Sequence, residues 1–446
     1  MRGLAASGED GVRADDALLW RGAMPVTRAA LLTEALSIAG LLAEALPPGG
    51  CIVNLCEQRE NFLLASAAAL LADRVQLLPV ARGAAALAEL VREYPDSLRL
   101  DDDELRRLRA ARAGALPPRE LVPADPDRLV MVPFTSGSTG WSQPHPKRWR
   151  ALAASAQFNS VSLRAAIGAT ANAPLSLVGT VPAHHMYGLE FTVLLPLFAN
   201  MSVHGERPLF PADVAAALSQ PARPRVLVST PLHLRALADS GLSFPEIDLI
   251  VSATAPLDDA LARRVEARLR APLLEIFGST ETGVIATRRT AHEEQWRLYP
   301  GVGLEPGADS TRVSAPWFER PQLLQDVLEL RGTDGFVLRG RNSDLVEVAG
   351  KRASLADITR RLCAVPGVED AVAFQPEPAA SGIASRVAAV VVSREVSARQ
   401  IAARLAADLD AVFVPRPLLL VPRIPRDALG KVSRAALLEL TRRSTE

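Results

Sequence analysis

Residues 129–140 read LVMVPFTSGSTG: an apolar run, Leu129–Phe134, empties into a loop of hydroxyls and glycines. A short apolar run bounded by small polar residues is the pattern of a buried strand. Glycines let the backbone turn tightly and aim N–H groups at an anion, and Ser and Thr hydroxyls add donors. The loop is not the G-x-x-x-x-G-K-[ST] phosphate loop, because no Lys-Ser/Thr pair follows its second glycine. Taken alone, an ordinary Ser/Gly surface turn explains it as well as a phosphate site does. Downstream, similar runs recur at Leu175–Val181, Arg225–Ser229, Ile247–Ser252 and Leu273–Phe277, with helical patterns such as Asp258–Arg270 between several of them. This alternation predicts an α/β architecture with largely parallel sheet, whose ligands collect outside the carboxyl ends of the strands.

Upstream, residues 17–110 predict helices interspersed with short strands. A helix starts at Val26-Thr27-Arg28, Cys51–Leu55 reads as a strand, and Phe62–Ala72 as a buried helix too short to span a bilayer. Asp101–Arg112 has acids at its front and arginines behind, which suits the helix dipole and i,i+4 pairing. The proline-rich stretch Leu116–Asp127 reads as a linker or loop. After Arg341 the texture changes. Ser354 opens a helix, strands are expected at Val368–Phe374 and Val387–Val392, and Ser397 with Gln400 forms a capping-box pattern before a helix to about Asp408. A strand at Pro417–Val421 follows. The expected organisation is a large N-terminal domain, 1–340, of parallel and mixed sheets with packed helices, then a small α+β domain, 341–446.

The chain has 446 residues, and 48% of them are hydrophobic, enough for a substantial core. Its 50 basic and 50 acidic residues cancel, so nothing steers it at long range toward nucleic acid or an anionic membrane. The first twenty residues carry Glu9, Asp10, Asp15 and Asp16 and no continuous apolar stretch, against a signal peptide. Cys51, Cys56 and Cys363 neither pair evenly nor match metal-ligand spacing and read as small buried hydrophobes. A cytoplasmic setting is expected. Lysine occurs only at Lys147, Lys351 and Lys431; every other basic side chain apart from histidine is arginine. Lysine is a compact charge on a flexible stem, chemically unlike the planar arginine fork, so each survivor is a candidate for a specific task.

Three more segments carry possible chemistry. Ile276-Phe277-Gly278-Ser279-Thr280-Glu281 again ends a strand in small polar residues, now with a carboxylate able to hold Mg²⁺ and a phenyl ring able to cover a base. Asp326, Gly340-Arg341-Asn342-Ser343-Asp344 and Gly350-Lys351-Arg352 offer partners for ribose hydroxyls and phosphate. Ile424-Pro425-Arg426-Asp427-Ala428-Leu429-Gly430-Lys431 presents a lysine that would neutralise charge developing between a carboxylate and a phosphate. Singly, the first two read more simply as a surface charge or a core aromatic, whereas a basic tail fits Arg434 and Arg442 better than it fits Lys431.

In this order the segments resemble the signature motifs of the acyl-adenylate-forming superfamily: acyl-CoA synthetases, carrier-protein adenylation domains and luciferases. The likeness runs from Trp20 to Arg434, with a shortened front portion. It implies ATP and Mg²⁺ as cofactors and a mobile C-terminal domain. Thr135, Ser136, Gly137, Ser138, Thr139 and Gly140 match the family's phosphate loop. Thr280 and Glu281 match its Thr-Glu pair, implying phosphate contact and Mg²⁺ binding. Thr254 and Ala255 fall in the small-residue stretch Ser252–Pro256 that lines the adenine and acyl pocket, with Phe277, Gly278 and Ser279 on the nucleotide. Asp326 matches the ribose-binding aspartate, Arg341 the arginine before the hinge, and Lys431 the C-terminal lysine required for adenylation. Two departures stand out. Trp141–Pro146 separate Lys147 from the last glycine, where the family places its lysine early, and the hinge position is Ser343, with Asp344 adjacent.

Pro182-Ala183-His184-His185-Met186-Tyr187-Gly188 matches the motif bordering the acyl pocket, with Ser252 nearby. Tyr187 is expected as a wall and His184 or His185 as a gate. Metal binding by the two histidines is not expected, because adjacent side chains should diverge. His204, His233 and His292 read as structural. The extended loop and short front portion resemble stand-alone ligases of aryl-polyene and xanthomonadin-type pigment clusters, which implies a hydroxybenzoate-like acid passed to an acyl carrier protein. A CoA ligase with the same first half-reaction is the alternative, and a non-catalytic nucleotide- or acyl-binding homologue the alternative of another class.

Overall fold

The computed structural model describes residues 13–111, 121, 125–136, 142–307, 310–341, 345–348, 351–376, 386–426 and 432–443. The contacts divide the chain into two compact units, 1–293 with 317–319, and 294–316 with 320–446.

In the first unit, the strands Leu175–Gly179, Arg225–Ser229, Leu249–Ser252 and Leu273–Ser279 are parallel neighbours, as the alternating pattern predicts. Met201–His204 and Ala17–Arg21 extend the parallel array, and on its other side Gly283–Arg288 pairs antiparallel with Leu273–Ser279. Helices Pro211–Ser219, Pro231–Asp239 and Asp259–Leu269 cover one face, packing Val214, Leu234, Leu261 and Val265 against Val178, Leu227, Ile250 and Leu273. Burial on both faces is why these strands are continuous apolar runs instead of alternating ones. Asp258 caps its helix by accepting from the Leu261 N–H, and Thr27 does the same for Arg28–Ala45 through Ala30.

A second sheet runs Ser97–Leu100, Cys51–Asn54, Val75–Leu78, Leu129–Ser136 and Ser142–Pro144. Its last two strands form a hairpin in which Thr135 faces Gln143, and Lys147 then pairs back beside Met131. The cation that opens helix Arg59–Leu71 reaches the first sheet. Arg59, fully buried, donates to the carbonyl oxygens of Gly179, Val181 and His204 at 2.8, 2.8 and 3.1 Å. It thereby holds the carboxyl ends of two strands of the first sheet.

In the second unit, Trp296–Leu298, Gly335–Arg341 and Asp326–Leu330 form an antiparallel sheet in that order. The expected α+β elements follow: helix Leu355–Cys363 capped by Ser354, strands Asp370–Phe374, Ala388–Val392 and Leu418–Leu420, and helix Ala398–Asp408 with its complete Ser397–Gln400 capping box. Val391 faces a core of Ile358, Leu362 and Ile401, while Val390 faces Leu437 on the other side. Most of the proline-rich linker, together with Ser343, Asp344 and Lys431, lies outside the described residues.

Candidate active site

Two hairpins of the first unit come together. Strand Leu273–Ser279 turns back at Thr280–Thr282, and the turn is closed reciprocally: the Ser279 N–H donates to Thr282 Oγ1 at 3.1 Å and the Thr282 N–H to Ser279 Oγ at 3.3 Å. Thr280 and Glu281 are thereby left at its tip. From the other hairpin, His145 is fixed by its own N–H donating to the Pro133 carbonyl at 2.8 Å. Its Nε2 lies 2.8 Å from Thr135 Oγ1 and 3.7 Å from Glu281 Oε1. Residues 134 apart in sequence meet next to it, where Lys147 Nζ donates to the Glu281 carbonyl at 2.6 Å. Thr135 and Glu281, widely separated in the chain, therefore share one locus. Gly137–Gly140 lie outside the described residues, as does Trp141. Hard oxygen donors beside hydroxyls suit Mg²⁺ on phosphate, and the Glu281 side chain is 35% exposed, open to such a ligand.

Beneath the turn is a layer of buried charge. Lys147 is 7% exposed, and burial pushes its amine down to about 8 against the pull of Glu190 and Glu281. Glu190, 2% exposed, is pushed up by burial and accepts from Ser155 Oγ and, at 3.3 Å, from the Val284 N–H. It begins a π-helical turn, Glu190–Leu194. Gly283 has φ +66°, and a Cβ there would lie 2.8 Å from Glu190 Oε1, so only glycine fits between turn and carboxylate.

A second group of expected site residues lies along the carboxyl edge of the parallel strands. Ser229 and Ser252 are register partners. Tyr187 is buried with its hydroxyl 2.9 Å from the Val251 carbonyl and 3.1 Å from that of Ser229, bridging adjacent strands. Burial raises its phenol well above the ordinary range. Gly188 is required because a Cβ would lie 1.9 Å from the Pro182 carbonyl oxygen. Thr180 Oγ1 is 3.0 Å from both Ser229 Oγ and His233 Nδ1. The Ser252 hydroxyl, fully buried, has no hydrogen-bond partner among the described residues, an arrangement that natural interiors rarely tolerate away from a ligand. Thr254 has φ +81°, strained for a β-branched residue, in the small-residue stretch Ser252–Pro256.

One expectation needs correction. The adjacent histidine side chains do not diverge: the rings of His184 and His185 approach to 4.5 Å between centroids at 37°. His185 precedes a helical turn, Met186–Leu189, and the tight Pro182–Gly188 packing folds both rings to one side. Burial, then the charges of Arg82, His185 and Arg207, lower His184 to about 3, so it is neutral at pH 7.

In the second unit, Asp326 is 6% exposed and stands directly opposite Arg341 in the antiparallel register, so two candidate ribose partners share one pair of strands. Sequence reasoning missed His145, Glu190, Ser155, Thr282 and Arg59. The only signal for the group was the survival of Lys147 in an arginine-rich chain.

A family model described as AMP-binding enzyme matches residues 57–313. A 4-coumarate–CoA ligase from Rhodobacter capsulatus is 34% identical over 250 residues, which are 56% of this chain and 62% of that protein. The p-hydroxybenzoic acid–AMP ligase FadD22 of Mycobacterium marinum is 29% identical over 301 residues, 56% of this chain and 41% of FadD22. The chain thus matches less than two thirds of the length of either. The ATP-bound crystal structure of MatB from Rhodopseudomonas palustris superposes with a TM-score of 0.81 over 97% of each chain, at 20% identity, which shows a shared fold. Among the described residues no helix is long and apolar enough to cross a membrane.

Proposed function

The chain belongs to the AMP-binding enzyme family, and from that premise we propose that it adenylates an aryl carboxylic acid, such as a hydroxybenzoate, and passes the acyl group to the phosphopantetheine thiol of an acyl carrier protein. It is an ATP-dependent, adenylate-forming acid–thiol ligase that uses ATP and Mg²⁺. In the first step a carboxylate oxygen attacks the α-phosphorus, forming the acyl–phosphate bond as the bond to pyrophosphate breaks. In the second the thiol, giving up its proton, attacks the acyl carbonyl and AMP leaves. The observation that carries this reading is the meeting of Thr135, His145 and Glu281 at one point.

Glu281 would hold Mg²⁺, which when bound neutralises phosphate charge. Thr280 and the 135–140 loop take the phosphates, Thr254, Ala255, Phe277, Gly278 and Ser279 the adenosine, and Asp326 and Arg341 the ribose. Lys431 arrives with the mobile domain 341–446 and stabilises charge on the reacting carboxylate and α-phosphate. An aromatic acid is supported by the Tyr187 wall, the neutral His184 and the unpartnered Ser252 hydroxyl, which suits a ring substituent able to hydrogen-bond. The p-hydroxybenzoic acid named for FadD22 points the same way.

Acid-dependent exchange of pyrophosphate into ATP, run over a panel of hydroxybenzoates, cinnamates and aliphatic acids, tests the reading. Exchange with a hydroxybenzoate is expected; no exchange with any acid would leave a non-catalytic binding protein. Thioester formation with a phosphopantetheinylated carrier should exceed that with CoA. The reverse would assign the CoA-ligase reaction after which the Rhodobacter relative is named.

A further inference from the structure

Lys147 lies where a phosphate-binding lysine would be sought, yet its amine is committed elsewhere. Nζ donates to the Glu281 backbone carbonyl at 2.6 Å, and the side chain is almost wholly enclosed. A lysine that reached for solvent phosphate would have to leave this pocket and strand Glu190, whose charge is the larger of the two opposing its burial. Glu190 in turn accepts from the Val284 N–H, on the far side of the same turn, and from Ser155, which Asn159 Nδ2 supports at 3.2 Å. The two buried charges thus grip the turn at residue 281 and at residue 284, and Gly283 lets the carboxylate press directly on the backbone between. A turn held at both ends from beneath presents its tip in one orientation.

We propose that Lys147 and Glu190 form a buried two-point clamp that fixes the Thr280–Gly283 turn and so aims the Glu281 carboxylate, Lys147 being a positioning residue and not a phosphate ligand. The proposal rests on the reading of Glu281 as the Mg²⁺ ligand. Its origin is the Trp141–Pro146 insertion, which carries the lysine past the phosphate loop and into the pairing beside Met131.

Two measurements on the whole protein test it. In nucleotide-free Lys147→Met, amide hydrogen exchange at residues 282–284 is expected to quicken at least tenfold. Calorimetric ATP titrations at several Mg²⁺ concentrations should show at least a fivefold rise in the Mg²⁺ needed, with AMP affinity within twofold of the parent. Weakened binding of ATP and AMP in metal-free buffer, with exchange at 282–284 unaltered, would make Lys147 a phosphate ligand and overturn the proposal. A lowered melting temperature with neither readout moved would overturn it too, leaving only packing. If Lys147→Met does not fold, Glu190→Gln keeps the shape and removes the charge; faster exchange at Val284 supports the clamp and unchanged exchange sinks it. Exchange is read without catalysis, so the clamp stands or falls even if no acid is ever adenylated.

Discussion

His145 Nε2 stands between Thr135 Oγ1 and Glu281 Oε1, 2.8 Å from the first and 3.7 Å from the second. Burial lowers this imidazole although Glu281 pulls the other way, so near neutral pH the neutral ring makes one hydrogen bond, with the Thr135 hydroxyl, and lies beside the carboxylate without bonding it. A hydrogen bond of this kind is worth about 1 kcal/mol, or roughly a fivefold effect. His145→Ala should therefore slow ATP–pyrophosphate exchange about five- to tenfold. His145→Gln, which retains an amide able to meet the Thr135 hydroxyl, should recover part of that loss in the same assay.

Glu281→Gln keeps the turn and the carbonyl that Lys147 holds, but removes the anionic oxygen. The Mg²⁺ concentration for half-maximal exchange should rise by about tenfold or more, as expected for loss of a hard ligand. An unchanged Mg²⁺ dependence would rule out the ligand role.

Lys431→Ala should abolish adenylation, by about a hundredfold or more, because the ammonium acts on charge present only as the reaction proceeds. ATP binding, followed by calorimetry, should stay close to that of the parent. Near-normal exchange would remove Lys431 from the chemistry.

His184 predicts an acid limb in stability. Its folded pKa of about 3 lies below the ordinary 6.5. Between those values the unfolded chain binds a proton that the folded chain refuses, so stability falls as pH drops from 6.5 toward 3, by at most about 1.4 kcal/mol per pH unit from this group. In His184→Phe, urea unfolding at pH 6.5 and 4.5 should show a smaller difference than in the parent.

Tyr187→Phe removes a buried donor from the Val251 and Ser229 carbonyls and should lower unfolding free energy by about 1–2 kcal/mol in urea. Tyr187→Ala opens the wall instead, and the acid panel should then extend to bulkier acids.

Much of this architecture is written in local sequence. Ser397 and Gln400 cap a helix through their own neighbours, Asp258 and Thr27 cap theirs, and runs such as Arg225–Ser229 are apolar because both faces of the strand are covered. Such elements depend on contacts a few residues away, so they are legible in order along the chain, as were the strand that runs through Thr135 and the Thr280–Glu281 turn as separate pieces. Their meeting was not. That Lys147 ends beneath Glu281, and that His145 brings Thr135 beside the same carboxylate, follow from how hairpins dock across long separations. Residue spacing carries no record of that docking; packing and burial decide it, and with it which cation holds the turn.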